Sequence, residues 1–197
     1  DLLHSSQPTV SRELARLESL LGYALFERVQ GRLRPNARAL ALWDEVQRSW
    51  SRSLEYGLRE HDRILFDPVS AAQQRRLDDA HRVLLDHATP ELQRLFAALD
   101  DAHWVIACLE ARGTIVKTLG GQHPALRDIA NVLRPGLNLS ENLIGTNAPG
   151  CALEERRSVI VRGGEHFLEE VHMCACVAVP IFDPSGDVAG VLNASRH

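Results

Sequence analysis

The chain has 197 residues, of which 45% are hydrophobic, and it carries a formal net charge of −4. This length suits one large domain or two small ones, and the composition is that of an ordinary globular protein. The sequence contains no apolar run long enough to span a membrane and no secretory signal, so we expect a cytoplasmic protein without a membrane partner. Because it begins at Asp1 within an apolar-periodic segment, we interpret the chain as lacking its original N-terminus.

Charge is distributed unevenly along the chain. Residues 1–38 contain six arginines against four acidic residues, a balance of +2, so the remainder carries −6. A net acidic protein is not a general polyanion binder, but a locally basic segment can still contact phosphates. The pattern predicts a DNA-binding head joined to a body that does not bind DNA.

Cysteine and histidine spacing argues against a metal centre. The nine histidines are scattered, and no CxxC pair exists, so the common zinc and redox spacings are absent. We therefore expect no metal and no other cofactor, and free thiols fit a reducing cytoplasm. The four cysteines are Cys108, Cys151, Cys174 and Cys176.

Residues 6–22 form a predicted amphipathic helix that begins at Ser6 and ends at Gly22. A duplex is read by a helix in the major groove, with polar residues near the helix N-terminus at base edges. A glutamine side chain can hydrogen-bond to an adenine, and an arginine side chain can hydrogen-bond to a guanine or a phosphate. The alternative is an amphipathic helix whose polar face is only solvated. The candidate DNA-binding residues of this segment are Ser6, Gln7, Pro8, Thr9, Ser11, Arg12 and Arg16.

A small hairpin follows over residues 27–35, with Gly31 at its turn. Its arginines Arg32 and Arg34 are candidates for contacts to phosphates or to an adjacent minor groove.

Residues 36–56 then show apolar side chains at helical spacing, too many for a solvated single helix. We predict a long helix that pairs two copies into a homodimer. The apolar stripe consists of Leu40, Trp43, Val46, Trp50 and Leu54.

The second half changes from helical to strand periodicity near residue 103. Residues 73–99 are predicted to be helical, with Pro90 starting a second half capped by Thr89. Asp67-Pro68 is a predicted turn, and residues 183–187 form a strong hairpin turn. The fold class is therefore α+β with a central antiparallel sheet. The predicted strands cover residues 104–109, 114–119, 158–162, 175–182 and 188–194.

The sequence at residues 5–18, SSQPTVSRELARLE, closely resembles the recognition helix of LysR-type regulators. Its continuation also matches, through Leu25-Phe26-Glu27-Arg28 to the segment Gly31-Arg32-Leu33-Arg34-Pro35. The resemblance covers about residues 1–50 and implies a winged helix-turn-helix followed by a dimerisation helix. The family's first helix and the start of its second are missing here.

Residues 49–197 resemble the GAF sensor domain of acetoin-catabolism-type activators, which work with an alternative sigma factor. The resemblance rests on an ordered series of segments and implies a sheet that encloses a small-molecule cavity. The sequence departs from the usual pattern at Leu139, Pro149, Asn193 and the pair Ala175-Cys176. The matching segments are 49–58, 145–147, 150–153, 165–167, 176–186 and 191–195.

Polar groups near these segments are candidates for effector contacts. No arginine or lysine converges on them, so we expect a small, neutral, partly apolar effector such as an acetoin-like ketone or alcohol. Each candidate has a structural alternative as a loop hydrogen bonder, a cap or a buried inert thiol. The candidates are Trp104, Glu141, Asn142, Thr146, Asn147, His166 and Cys176.

These observations predict a DNA-binding transcriptional regulator that responds to an effector and is not an enzyme. The predicted domains are a partial winged helix-turn-helix over 1–38, linker and dimerisation helices over 39–100, and a GAF-like sensor over 101–197. Two alternatives stay open: a sensing or dimerising module that no longer binds DNA, and a thiol redox sensor using Cys174 and Cys176 with His172. Cys–His catalysis has no local support, and no phosphate-binding GxxxxGK loop is present.

Overall fold

The computed structural model describes residues 24–29, 32–64, 69–99 and 103–197. The chain divides into two units, Asp1–Glu45 and Val46–His197. The predicted recognition helix, Gly31 and the Asp67-Pro68 turn lie outside the described residues. Among the described residues, no helix combines the length and apolar character required to cross a bilayer.

In the first unit, β1 (Phe26–Val29) pairs with β2 (Arg32–Pro35) in an antiparallel two-stranded sheet. Asn36 follows β2; its backbone N–H donates to the Leu25 carbonyl, and its side chain donates to the Ala24 carbonyl. The paired strands agree with the predicted hairpin. The helices of a helix-turn-helix are not among the described residues, so that part stays a prediction.

Helix α1 (Ala37–Glu55) begins in the first unit, and its residues from Val46 onward belong to the second. It matches the predicted long helix over residues 36–56. Gly57 follows it with a φ of 80°, a left-handed conformation that glycine adopts without a steric cost.

Two further helices, α2 (Ala71–Ala80) and α3 (Arg82–Ala98), precede the sheet. Ser70 and Gln73 form a capping box at the start of α2, which satisfies two backbone donors. The break predicted at Thr89 is wrong: the chain breaks at His81, and Pro90 lies inside α3. Ala88 and Leu92 on either side of Pro90 are buried against the sheet, and this packing offsets the missing hydrogen bond.

The second unit contains a five-stranded antiparallel sheet in the order β4-β3-β7-β6-β5. The strands fall close to their predicted positions, and the turn at residues 183–187 joins β6 to β7. Their bounds are β3 (Val105–Glu110), β4 (Ile115–Gly120), β5 (Val159–Arg162), β6 (Ala175–Phe182) and β7 (Val188–Arg196).

Both faces of the sheet are covered. On one face, Ile106 and Cys108 pack with α3. On the other, Ala107 and Leu109 pack with three short helices, because side chains alternate along a strand. Every residue of β3 is therefore buried, which explains its apolar run from Val105 to Leu109, while the Glu110 carboxylate accepts from the backbone N–H groups of Arg112 and Thr114. The short helices are α4 (Arg127–Val132), α5 (Glu141–Ile144) and α6 (Ala148–Glu155).

Candidate functional site

A cavity lies between the sheet and the short helices. The centre of a water-sized sphere can occupy about 30 Å³ of it, and all the space between the lining atoms, including the mouth, is about 380 Å³. A buried water needs about 10–15 Å³ by the first measure, so a compact molecule of a few non-hydrogen atoms fits. No arginine or lysine is among the described residues that line it. The apolar walls are Ile129, Val132, Leu133, Leu139, Ile144, Pro149 and Val171.

His166 forms part of the cavity wall and is 1% exposed. Its Nδ1 lies 3.0 Å from the Gly163 carbonyl oxygen, and its own carbonyl oxygen lies 3.0 Å from His172 Nε2. The first contact orients the His166 ring, and the second ties its backbone to His172. Among the described residues no hydrogen bond of ordinary geometry reaches the buried Nε2 atom, but the His166 side chain also interacts with the Cys176 thiol.

Asn193 and Ser195 reach the same cavity from β7. Asn193 pairs across the sheet with Ala107 and Ala178, whose small side chains leave space around it. Its Nδ2 donates to Ser195 Oγ at 2.9 Å, and Ser195 Oγ donates to Cys176 Sγ at 3.1 Å. The Asn193 Oδ1 atom is buried and has no partner among the described residues.

Cys174 and Cys176 both line the cavity. The neighbouring Cys174 thiol lowers the pKa of Cys176 most; burial opposes that shift, and His166 lowers the pKa further. The pKa of Cys174 is raised, first by Cys176 and then by burial. No group of three or more His, Cys, Asp or Glu side chains in the described part of the chain is arranged to hold a metal ion.

Asn147 lines the cavity, but its side chain is already committed to the backbone. It caps α6 by accepting from the Gly150 N–H, and its Nδ2 donates to the carbonyls of Leu139 and Gly145. Each polar atom of the amide therefore has a partner. The contacts support a structural role in shaping the cavity wall.

Four other predicted effector residues are not among the described residues that line the cavity. Trp104 lies just before β3, and the Arg196 guanidinium stacks over its ring. Asn142 is exposed. Glu141 and Thr146 are buried, but they contact the second half of α1 instead.

A buried polar network joins α1 to the segment beside the cavity. Arg52 Nε and Nη2 donate to Glu141 at 2.5 and 2.8 Å. Ser49 Oγ donates to Glu141 at 2.7 Å and lies 2.8 Å from Thr146 Oγ1. Since Thr146 precedes the cavity residue Asn147, the network connects the helix directly to one wall of the cavity.

Trp50 connects the same helix to the segment around His166, which also lines the cavity. Its Nε1 donates to the Glu165 carbonyl at 2.8 Å, and its ring meets Phe167 edge-on at 5.1 Å. Glu165 and Phe167 flank His166 in the chain. The helix that carries the predicted dimer stripe therefore contacts both the segment that contains Thr146 and the segment that contains His166.

The candidate DNA-binding residues fall mostly outside the described part of the chain. Ser6, Gln7, Pro8, Thr9, Ser11, Arg12 and Arg16 all precede residue 24. The backbones of Arg32 and Arg34 lie in β2, and the side chain of Arg34 is exposed. The DNA contacts stay a prediction.

Sequence reasoning missed Asn193 and Ser195 as cavity residues. One signal was available: the alternation of β7 places both polar side chains on one face of a strand whose neighbours are apolar. Buried polar residues on a core strand require partners or a ligand, which makes them informative.

Two families match the chain. Residues 26–195 match the MimR N-terminal domain, and residues 1–40 match the bacterial regulatory helix-turn-helix of the LysR family. The transcriptional activator protein LysR of Escherichia coli K12 is 59% identical over 75 residues, which make up 38% of this chain and 20% of that protein. The acetoin catabolism regulatory protein of Cupriavidus necator is 32% identical over 158 residues, or 76% of this chain and 23% of that protein.

A solved structure supports the same fold. The E. coli DhaR(N) in complex with DhaL superposes with a TM-score of 0.69 and 18% identity, over 77% of this chain and 52% of that chain. The chain spans about a fifth to a quarter of the length of the two curated relatives. A LysR-type helix-turn-helix sequence thus precedes a mixed helix and antiparallel-sheet unit, and the chain belongs to the MimR N-terminal domain family.

Proposed function

We propose that this chain is a DNA-binding transcriptional regulator whose second unit binds a small, neutral organic effector. The helix-turn-helix match over residues 1–40 and the transcriptional roles in the relatives' names support the DNA-binding part. One observation supports the effector most directly: the buried polar side chains of His166 and Asn193 border a cavity with apolar walls, and Asn193 Oδ1 has no hydrogen-bond partner among the described residues.

In this proposal the head covers residues 1–38, the linker and dimerisation helices 39–100, and a GAF-like sensor 101–197. No arginine or lysine that could hold an anionic ligand is among the described residues that line the cavity. One relative's name connects that protein to acetoin catabolism. Short neutral ketones and alcohols are therefore the class of effector that we propose for this chain.

Thermal unfolding with and without such compounds tests the effector. A ligand at a hundredfold excess over its Kd stabilises the folded state by about 2.7 kcal/mol, so the melting temperature should rise in a saturable manner. His166→Phe should remove most of this shift. A screen of small neutral compounds that gives no saturable shift would contradict the proposal.

Gel-shift assays at two salt concentrations test the DNA-binding part. If Arg34 contacts phosphate, Arg34→Ala should weaken binding to all sequences alike and reduce the salt slope by about one. Arg76→Ala, which removes an exposed arginine from α2, is the matched control and should leave binding unchanged. Absence of duplex binding by the wild-type chain would favour a sensing or dimerising module instead.

A thiol redox sensor is the second candidate, because Cys174 and Cys176 lie together in the cavity wall and Cys176 has a lowered pKa. Treatment with hydrogen peroxide followed by thiol counting separates it from the first. Loss of two thiols together with altered DNA binding would support redox sensing. Unchanged DNA binding after oxidation would exclude it.

A further inference from the structure

Three sulfur atoms lie together where the chain enters β6. The Sγ atom of Cys174 lies 3.7 Å from the Sδ atom of Met173, the single methionine of the chain. The thiols of Cys174 and Cys176 interact with each other, and both residues line the cavity. Cys174 is 5% exposed and Cys176 is 8% exposed, so neither residue is fully enclosed by the core. The proposed effector binding assigns no role to these sulfur atoms.

The softness and the number of these donors determine which ion they suit. Zinc in structural sites takes about four nitrogen, oxygen or sulfur ligands. No three His, Cys, Asp or Glu side chains among the described residues are arranged to hold a metal ion. Monovalent copper differs from zinc, because it prefers soft thiolate and thioether sulfur and needs only about two or three such ligands. Two thiols and one thioether therefore match Cu(I) and not Zn(II).

Strand β7 supplies the supporting contacts that a metal-bound sulfur requires. Ser195 Oγ donates to Cys176 Sγ at 3.1 Å, and Asn193 Nδ2 donates in turn to Ser195 Oγ at 2.9 Å. The His166 side chain also interacts with the Cys176 thiol. Hydrogen bonds of this kind orient a ligand atom, and losing one typically weakens metal binding about 10–100-fold. The Cys176 sulfur is therefore held in place from the neighbouring strand.

We infer that Cys174 and Cys176, with Met173 as a weaker third ligand, form a binding site for Cu(I). This site goes beyond the proposed effector and does not depend on it. A coordinating metal ion deprotonates a thiol outright, even where burial disfavours the thiolate. Each cysteine therefore releases its proton to the solvent as its sulfur binds copper. The expectation of no metal rests on the missing CxxC spacing, whereas these two cysteines are separated by one residue and line the same cavity.

Competition for Cu(I) against the chromophoric chelator bicinchoninate tests the site. The reduced full chain is titrated in the absence of oxygen, and we expect it to withdraw about one equivalent of Cu(I) from the chelator. Cys174→Ser and Cys176→Ser should each weaken Cu(I) binding at least about a hundredfold, because each removes a thiolate ligand. Ser195→Ala should weaken it about tenfold, because it removes the hydrogen bond to Cys176.

Cys151→Ser is the matched control, since Cys151 is a buried cysteine that is not among the described residues lining the cavity. It should bind Cu(I) as tightly as the wild type. A second measurement needs no variant: in the wild type, Cu(I) should slow the alkylation of Cys176 by iodoacetamide at least about tenfold, and Zn(II) should not. This protection decides the question if a cysteine variant does not fold.

Three results would overturn the inference. They are a wild-type chain that leaves all Cu(I) with bicinchoninate, unchanged Cu(I) binding by both Cys174→Ser and Cys176→Ser, and Zn(II) binding as tight as that of Cu(I). The thermal screen for an organic effector is carried out without added metal. Failure of the copper site and failure of the proposed effector are therefore separate results.

Discussion

Gly145 shows how one residue shapes the cavity wall. It follows α5 with a φ of 71°, and a Cβ built there would lie 2.6 Å from the Cβ of Phe167. Phe167 is fully buried and packs against Trp50. Only a residue without a side chain therefore allows the segments on both sides of the cavity to approach this closely.

Gly145→Ala should destabilise the protein by about 2–4 kcal/mol, from left-handed strain of about 1–2 kcal/mol and overpacking against Phe167. Gly186→Ala is the control, because Gly186 has a similar φ of 86° but open space where its Cβ would lie. Gly186→Ala should lower the free energy of unfolding only by the energy of the backbone strain. Urea unfolding measures both, and equal losses would show that packing against Phe167 is unimportant.

The cysteines of this protein lie in different environments. Cys108 is fully buried against α3, and burial raises its pKa to about 12. Cys176 borders the cavity and has a lowered pKa. Because the thiolate is the reactive form, these two thiols should react at very different rates.

Iodoacetamide at neutral pH should alkylate Cys176 at least about tenfold faster than Cys108, since the thiolate fraction and access both favour Cys176. Peptide mass spectrometry at several times measures the two rates. In urea, which unfolds the protein, the alkylation rates of Cys176 and Cys108 should become similar. Equal rates in the native protein would mean that the cavity does not give access to Cys176.

At the scale of elements, α1 is attached to the sensor unit by charge as well as by apolar contact. Glu141 is 1% exposed, and Arg52 supplies its charged partner. Arg48 pairs with Glu155 nearer the surface, with its own side chain 49% exposed. A buried pair that loses one member leaves an uncompensated charge, whereas an exposed pair contributes little.

Arg52→Met should therefore cost about 3–5 kcal/mol of unfolding free energy, and Arg48→Met about 1 kcal/mol or less. The two variants remove the same group from one helix, which makes them a matched pair in denaturant unfolding. A similar small loss in both would show that burial of the Arg52–Glu141 pair does not matter to stability.

The homodimer prediction concerns the exposed side of α1. Leu54 belongs to the predicted stripe and is 61% exposed in the single chain, while Trp50 of that stripe faces the sensor unit instead. Leu54→Glu should shift the protein toward monomer in sedimentation, because it places a charge in an apolar contact. Val83→Glu, at a 75% exposed position on α3, should leave the oligomeric state unchanged. A wild-type chain that sediments as a monomer at high concentration would contradict the prediction.

At the scale of the whole molecule, low pH should reduce the free energy of unfolding, in part because Glu155 becomes protonated. Hydrogen bonding from Arg48, and then from Arg52, holds the pKa of Glu155 below its ordinary value of 4.5. A carboxylate whose pKa is lower in the folded state stabilises the protein above its unfolded pKa. That stabilisation disappears as the pH falls through the folded value.

The free energy of unfolding should therefore fall more steeply between about pH 5 and pH 3 in the wild type than in Glu155→Gln. Glu154→Gln changes the exposed neighbour on α6 and should follow the wild type. Urea titrations at several pH values measure the slopes. Identical slopes in the wild type and Glu155→Gln would show that this carboxylate does not contribute.

Local pattern was sufficient to predict much of the fold. The strand over residues 175–182 was located to the residue, and the helix over 36–56 to within one residue at each end. Strand alternation and helical spacing of apolar residues are properties of short segments, so they are visible without knowing the fold. The exception was Pro90, where the packing of Ala88 and Leu92 against the sheet outweighed the local helix-breaking preference.

The sequence by itself determined the order of helices and strands, the two family resemblances and the absence of cations near the expected effector segments. Only the tertiary structure decided which polar groups face the cavity. Glu141 and Thr146 face α1, almost a hundred residues earlier in the chain, while Asn193 and His166 arrive from separate elements to share one cavity. The physical reason is that a partner for a buried polar atom is chosen by packing between distant segments, and no local periodicity encodes that choice.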